Sequence, residues 1–292
     1  MHPVLFKLGP VTVYSFGFMM AVAFLSANYL FSFEARRRGW DQKHVTRITV
    51  IALIGGVAGS KIFSILEDWN DFLRDPIHQL FSPSGLTFYG GFLVAMAGIF
   101  FYIRSQKIPF RKLADVVAPV VFLAYGLGRI GCHLAGDGDY GLPTTSWVGT
   151  IYAEGTAKPT YVYAEHFERY PEERVKWHYD SLKAIPAGTD VLGQRITRFD
   201  EVTPAHPTPI YEFIAAFVLF QFLWRKRQAF ENQAGKLFGL TMILMGIERF
   251  AVEFLRINPL YAGLSMAQWI SIGLVIAGGI LFSKKQKAGA KQ

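Results

Sequence analysis

The sequence contains a single cysteine, Cys132, in 292 residues, so no intramolecular disulfide can form and cysteine usage leaves the redox compartment open. Neither a dinucleotide fingerprint nor a phosphate-cradling glycine loop occurs in a strand-to-helix setting, and no soluble organic cofactor is expected. No internal repeat or low-complexity tract stands out, which counts against a transporter built from inverted halves. Only Lys7 precedes the first apolar stretch and no small-residue cleavage pattern follows it. That stretch is therefore expected to be retained rather than removed as a signal peptide. The run Gly136-Asp-Gly-Asp-Tyr-Gly141 looks like a fragment of a calcium loop, but it lacks the length and the closing glutamate of an EF-hand, and no metal is expected.

What the chain does have is apolar length. It is 51% hydrophobic and 15% aromatic, too apolar for water to be its only solvent. Apolar segments fall at 11–33, 48–66, 85–103, 116–135, 210–224, 237–255 and 264–282, each near the length at which a tilted helix crosses hydrocarbon. The fifth is the shortest and carries Glu212. The pattern predicts an all-α polytopic membrane protein of about seven transmembrane helices, with four in 1–135 and three in 210–283. Between them, 136–209 is too long for a structureless loop and predicts a small external domain, with short strands suggested at 160–163. A basic tail, 284–292, follows.

The net charge of +8 is spread as short clusters between apolar runs, which favours juxtamembrane anchoring in a lipid bilayer over binding of nucleic acid. Arg36, Arg37, Arg38 and Lys43 fall in the first loop, and Arg104, Lys107, Arg111 and Lys112 in the third. Arg225, Lys226, Arg227 and Lys236 fall in the fifth, with Lys284, Lys285, Lys287 and Lys291 in the tail. The alternate segments hold only Lys7, Arg74 and Arg256, apart from the long fourth loop. The asymmetry predicts an external N-terminus and a cytoplasmic C-terminus.

Charges inside the spans carry the functional signal, since each costs on the order of 3 kcal/mol at the bilayer centre. They are Lys61, Arg129, Glu212, Glu248, Arg249 and Glu253. Mutual neutralisation that merely joins helices is one reading. An anion site is the other, because guanidinium forks match phosphate oxygens. Tyr125, Arg129, Cys132 and His133, at i, i+4, i+7 and i+8, are expected to line one side of the fourth span, and Glu253 is spaced to orient Arg249. Gly55 and Gly59 suit close helix packing. Gly90–Gly91 and the glycines of 126–131 are ambiguous taken alone.

Seven short stretches resemble, in order, the prolipoprotein diacylglyceryl transferase family. They are Leu8-Gly-Pro-Val11 with Tyr14-Ser-Phe-Gly17; Gly59-Ser-Lys-Ile62; Gly85-Leu-Thr-Phe-Tyr-Gly-Gly91; Gly128-Arg-Ile-Gly131 with Gly136 and Asp137; His206-Pro-Thr-Pro-Ile-Tyr-Glu212; Gly246-Ile-Glu-Arg249 continuing through Glu253-Phe-Leu-Arg256; and Ser265-Met-Ala-Gln268. The resemblance implies a bacterial inner-membrane enzyme that moves the diacylglyceryl group of phosphatidylglycerol to the lipobox cysteine thiol of a prolipoprotein, releasing glycerol phosphate. It implies essential arginines at Arg129 and Arg249 and supporting acids at Asp137 and Glu253. Gly141, Glu212 and Gln268 fall in motif positions on the lipid-binding side. The chain departs from the better-known members at Tyr89 (for His), Cys132 (for Asn), Phe16 (for Tyr) and Asp137 (for Glu), as a variant branch would.

Two guanidiniums at one phosphodiester would hold the head group and stabilise the charge gathering on the leaving phosphate. The acceptor thiol, with a pKa of about 8.5, reacts as thiolate. Three residues are candidates for the base. Tyr89 carries a phenol, a hydrogen-bond donor at neutral pH, and suits positioning better than proton abstraction. His133 lies one turn from Arg129, and His206 precedes Pro207 at the external mouth. The favoured alternative is that positive surroundings ionise the thiol with no dedicated base. Cys132 reads as a small residue at a helix contact rather than a nucleophile. Lys61 either meets a head group or snorkels to the interface. The rivals are a lipid- or lipoprotein-binding homologue that has lost catalysis and, further off, a transporter.

Overall fold

The computed structural model describes residues 1–9, 11–81, 87–142, 144, 146–152, 154–157 and 204–284. Most of the expected insertion, including the suggested strands at 160–163, lies outside the described residues, as do Gly85 and all of the basic tail beyond Lys284.

Each of the seven apolar segments is helical. They correspond to α1 (Ser15–Arg37), α2 (Gln42–Glu67), α5 (Phe88–Ser105), α6 (Phe110–Ala135), α7 (Thr208–Lys226), α8 (Lys236–Val252) and α9 (Met266–Ser283). Two short helices, α3 (Trp69–Arg74) and α4 (Pro76–Phe81), follow α2, and a 3₁₀ turn over Glu253–Leu255 continues α8. Four of these helices, α1, α2, α6 and α9, are long and apolar enough to cross a membrane, and α5 is apolar but shorter. Large apolar side chains such as Leu25, Val57, Phe101 and Ile276 are exposed on them, as expected of a polytopic helical membrane protein.

The all-α expectation needs one correction. Two antiparallel hairpins are present, β1 (Val4–Leu8) with β2 (Val11–Tyr14), and β3 (Leu260–Tyr261) with β4 (Leu264–Ser265). The first shortens the leading span, which begins at Ser15 and not at residue 11. Its strands are as apolar as the helix they precede, so apolar run length alone cannot separate them. In the second, both turn residues, Ala262 and Gly263, have positive φ, the backbone twist that joins tightly paired strands.

The chain forms two compact units, Met1–Ala27 with Val117–Gln292, and Asn28–Val116. Within the second, α2 and α5 pack backbone to backbone. A Cβ built on Gly59 would sit 2.5 Å from the Gly90 carbonyl oxygen, and one on Gly91 the same distance from that of Gly56. These glycines therefore serve helix approach. The turn before α2 is closed by Asp41, whose side chain accepts from Lys43 N at 2.9 Å. At the end of α1, buried Glu34 holds Arg37 and Arg38 at 2.7 and 2.8 Å.

The first unit repeats the small-residue device between α8 and α9, where Gly239 and Gly278 face each other across the seam and Gly246 meets the Ser271 carbonyl. Ser265 and Gln268 close a reciprocal capping box at the start of α9. The β1–β2 hairpin is tied down by His2 N donating to Leu134 O (3.0 Å) and Ser15 N donating to Pro3 O (2.9 Å). Beyond α6, Tyr140 and Tyr152 stack at 4.4 Å over Ala205 in a small core of their own.

Candidate active site

The chemistry collects within the first unit, where α6, α7, α8 and the segments that follow α6 and α8 bring charged side chains together. Glu212, on the first turns of α7, is fully buried and is the hub. Its Oε2 accepts from Arg129 Nε and also lies 2.5 Å from Arg129 Nη2. Its Oε1 accepts from Arg249 Nη1 and from Tyr125 Oη, both at 2.9 Å. The two arginines therefore meet at the two oxygens of one carboxylate. Arg249 is held from its other side by Glu253 at 2.8 Å, the i,i+4 pair that the spacing predicted. An isolated carboxylate in so dry a place would be prohibitive, and the guanidinium donors offset that cost.

A third arginine belongs to the cluster. Arg256 pairs with Asp139 Oδ1 and approaches Glu212 Oε2 at 3.6 Å, while Asp139 Oδ2 lies 2.5 Å from Arg129 Nη1. Asp139 thus bridges two guanidiniums. Burial alone would push the Asp139 pKa up, but Arg256 and Arg129 outweigh burial and hold the carboxyl at about 2. The backbone fixes this pairing. Gly141 forms a β-bridge with Arg256, Gly141 N donates to His206 O, Leu142 N donates to Leu255 O, and Thr208 Oγ1 donates to Asp139 O at 2.6 Å. A side chain at Gly141 would run into the Leu255 carbonyl, so that glycine is the price of the close approach. Glu248, next to Arg249 and also buried, has no hydrogen-bond partner for either oxygen among the described residues.

The remaining expected site residues divide clearly. Arg129, Arg249, Glu253 and Glu212 come together. Glu212 has both oxygens taken by side-chain donors from Arg129, Arg249 and Tyr125. Asp137 sits beside Cys132, with which it shares a hydrogen bond, and its Oδ1 accepts from Asp139 N at 3.3 Å. Burial, followed by the nearby Asp139 charge, pushes the Asp137 carboxyl up. The acid of this segment that pairs directly with arginines is Asp139, two residues on. His133 turns away to Tyr152, with Nδ1 3.0 Å from the phenol oxygen and the rings edge to face. Gln268 spends its side-chain oxygen on the Ser265 N–H of the capping box, and Gly141 acts through backbone packing. His206 lies 3.2 Å from the Tyr211 hydroxyl. Lys61 and Tyr89 belong to the other unit, where Tyr89 is largely exposed.

Cys132 is buried and its sulfur lies 3.4 Å from Arg129 Nη1. Ligand atoms of Cys132, Asp137 and Asp139 fall within 4.8 Å of one another. Asp139 is already neutralised by two arginines, and a thiol is a poor partner for the hard cation a calcium-like loop would select. Sequence reasoning missed Asp139 and Arg256 as site residues. Arg256 counts there as a loop charge and Asp139 as part of an incomplete calcium motif. The one available signal was that both lie inside the family-like stretches or directly beside them.

Comparison with known proteins finds relatives along the whole length of the chain. A Clostridium perfringens protein named phosphatidylglycerol--prolipoprotein diacylglyceryl transferase 2 is 32% identical over 297 residues, covering 100% of this chain and 98% of its own. Proteins with the same name, without the numeral, from Clostridium tetani and Vibrio cholerae are 29% and 28% identical, covering 97% and 99% of this chain and 97% and 93% of their own. Residues 3–284 match the family described as prolipoprotein diacylglyceryl transferase, and the chain belongs to that family.

Proposed function

We propose that this protein transfers the diacylglyceryl group of phosphatidylglycerol to the lipobox cysteine thiol of a prolipoprotein, leaving a thioether and releasing glycerol phosphate. The observation that carries the reading is the meeting of Arg129 and Arg249 on one buried carboxylate, in a chain of this family. The relatives' names supply the donor lipid and the class of acceptor.

The chemistry follows from the cluster. The thiol proton leaves to water, the sulfur bonds to the terminal glyceryl carbon, and the bond from that carbon to the phosphate oxygen breaks. The electron pair goes to that oxygen. Arg129 and Arg249, pre-oriented by Glu212 and Glu253, stabilise the charge arriving on the phosphate, and the low-dielectric surroundings strengthen each contact. Guanidinium N–H donors released from their carboxylates as substrate enters favour thiolate in the acceptor, which removes the need for a dedicated base. Between α8 and α9 an apolar cleft of about 420 Å³, with Gly246, Phe250, Ser271 and Val275 among its lining, suits an acyl chain.

In this reading α1, α2 and α5 to α9 all cross a bacterial inner membrane, with the N-terminus and the insertion 136–209 outside and the tail 284–292 in the cytoplasm. A cytoplasm-only reporter that is active at the N-terminus overturns that orientation.

Mass spectrometry of a lipobox peptide incubated with phosphatidylglycerol and the full chain tests the activity. A diacylglyceryl adduct is expected. Arg129→Ala and Arg249→Ala should each slow its formation at least about 100-fold, whereas Cys132→Ser should still turn over. Tight lipid binding without any adduct would instead favour a non-catalytic binding homologue.

A further inference from the structure

Three guanidiniums in the cluster, Arg129, Arg249 and Arg256, meet three carboxylates, Glu212, Glu253 and Asp139, in direct ion pairs. By that count the cluster is already neutral. A phosphodiester has no net charge to attract it unless one carboxylate gives way.

The three carboxylates are not equivalent. The side chains of Glu212 and Glu253 are 0% and 2% exposed and are carried by α7 and by the 3₁₀ turn that continues α8. Asp139 is 32% exposed and lies in the connection after α6, flanked by Gly138 at positive φ. Its backbone is anchored by Thr208 Oγ1 and the Gly141 clamp, so rotation of the side chain alone would release both arginines. Its two oxygens each take a different guanidinium, as the two non-bridging oxygens of a phosphodiester would. Arg256, whose side chain is 9% exposed, also has Nη1 without a hydrogen-bond partner among the described residues, a donor still to be used.

We infer that Asp139 is an internal stand-in for the substrate phosphate, holding Arg129 and Arg256 in position in the lipid-free protein and rotating aside when the anionic head group enters. Arg256 thereby becomes a third phosphate ligand, and Asp139 sets how tightly the site takes an anion. This rests on the transferase reading for the identity of the anion but not for the exchange itself.

The test removes the carboxylate charge and keeps the rest of the chain. Asp139→Asn and Asp139→Ser are purified as full chains, checked for monodispersity, and assayed against wild type in two ways. One is KM and kcat for phosphatidylglycerol in mixed micelles with a lipobox peptide. The other is direct calorimetric binding of glycerol phosphate. Displacement predicts that KM and the glycerol phosphate Kd both fall, by about three- to tenfold, the effect of about 1 kcal/mol of lost competition. A merely structural role raises both, because damage to the site does not tighten binding. Unchanged or weaker binding in the neutral variants overturns the inference, as does failure of both to fold, which would make the charge structural. The two readings separate cleanly. Wild type that binds glycerol phosphate but forms no adduct sinks the transferase activity and leaves the exchange to be judged on Kd alone.

Discussion

Three residues apart on α8, Gly246 and Arg249 meet the rest of the protein in opposite ways. At Gly246 the backbone presses against the Ser271 carbonyl of α9, and there is no room for another carbon. At Arg249 the contact runs through long polar side chains to two carboxylates. The seam is tight and chemically inert. The cluster is tight only in its charge balance, and ion pairs can change partners without moving a helix. One helix thus supplies rigidity and exchangeable chemistry within a single turn.

Breaking the hub of the cluster should have the largest effect. Glu212→Gln leaves Arg129 and Arg249 facing each other without their shared anion. The expected loss is about 3–5 kcal/mol of stability, the cost of orphaning a buried charge, together with adduct formation too slow to measure. Near-native melting in detergent with near-native turnover would mean that the cluster is dispensable. The seam should respond differently. Gly239→Val, at the same seam but away from the apolar cleft, should cost about 1–3 kcal/mol by overpacking, while turnover per folded molecule changes far less than in the cluster variant. Equal loss of turnover in both would mean that seam and cluster serve the reaction alike.

The smallest effect is a pH response at the cluster's edge. Burial lowers the basicity of His206 in the folded chain below its unfolded value of about 6.5. Near that pH the unfolded chain therefore binds more protons, so stability is full above about pH 6.5 and declines as pH falls through the folded value. Thermal melts from pH 8 to 5 should show this slope, and His206→Asn should flatten it. Asp139 contributes no slope over that range, since its carboxyl stays ionised down to about 2.

The same contrast explains what the sequence made legible. Apolar length located the seven helices because a span must satisfy its own backbone, and the i,i+4 spacing of Arg249 and Glu253 translated directly into an ion pair. Helical arithmetic also joined Tyr125, Arg129 and Cys132. Counting in 100° steps, Cys132 returns to within about 20° of Tyr125, whereas His133 is about 80° away, which is why it reaches Tyr152 instead. Asp139 and Arg256 were not legible, because they are 117 positions apart and no periodicity relates them. The capping role of Gln268 was not legible, because a motif position records that a residue matters without saying whether it caps a helix or touches a ligand.

The backbone bridge between Gly141 and Arg256 has a consequence for engineering. Because main-chain atoms set the separation of Asp139 and Arg256, the pair behaves as a transplantable cassette, with 139–142 on one side and 253–256 on the other. Swapping both segments together between homologues should preserve the gauge between their side chains, whereas swapping one alone should leave two half-clamps of mismatched origin.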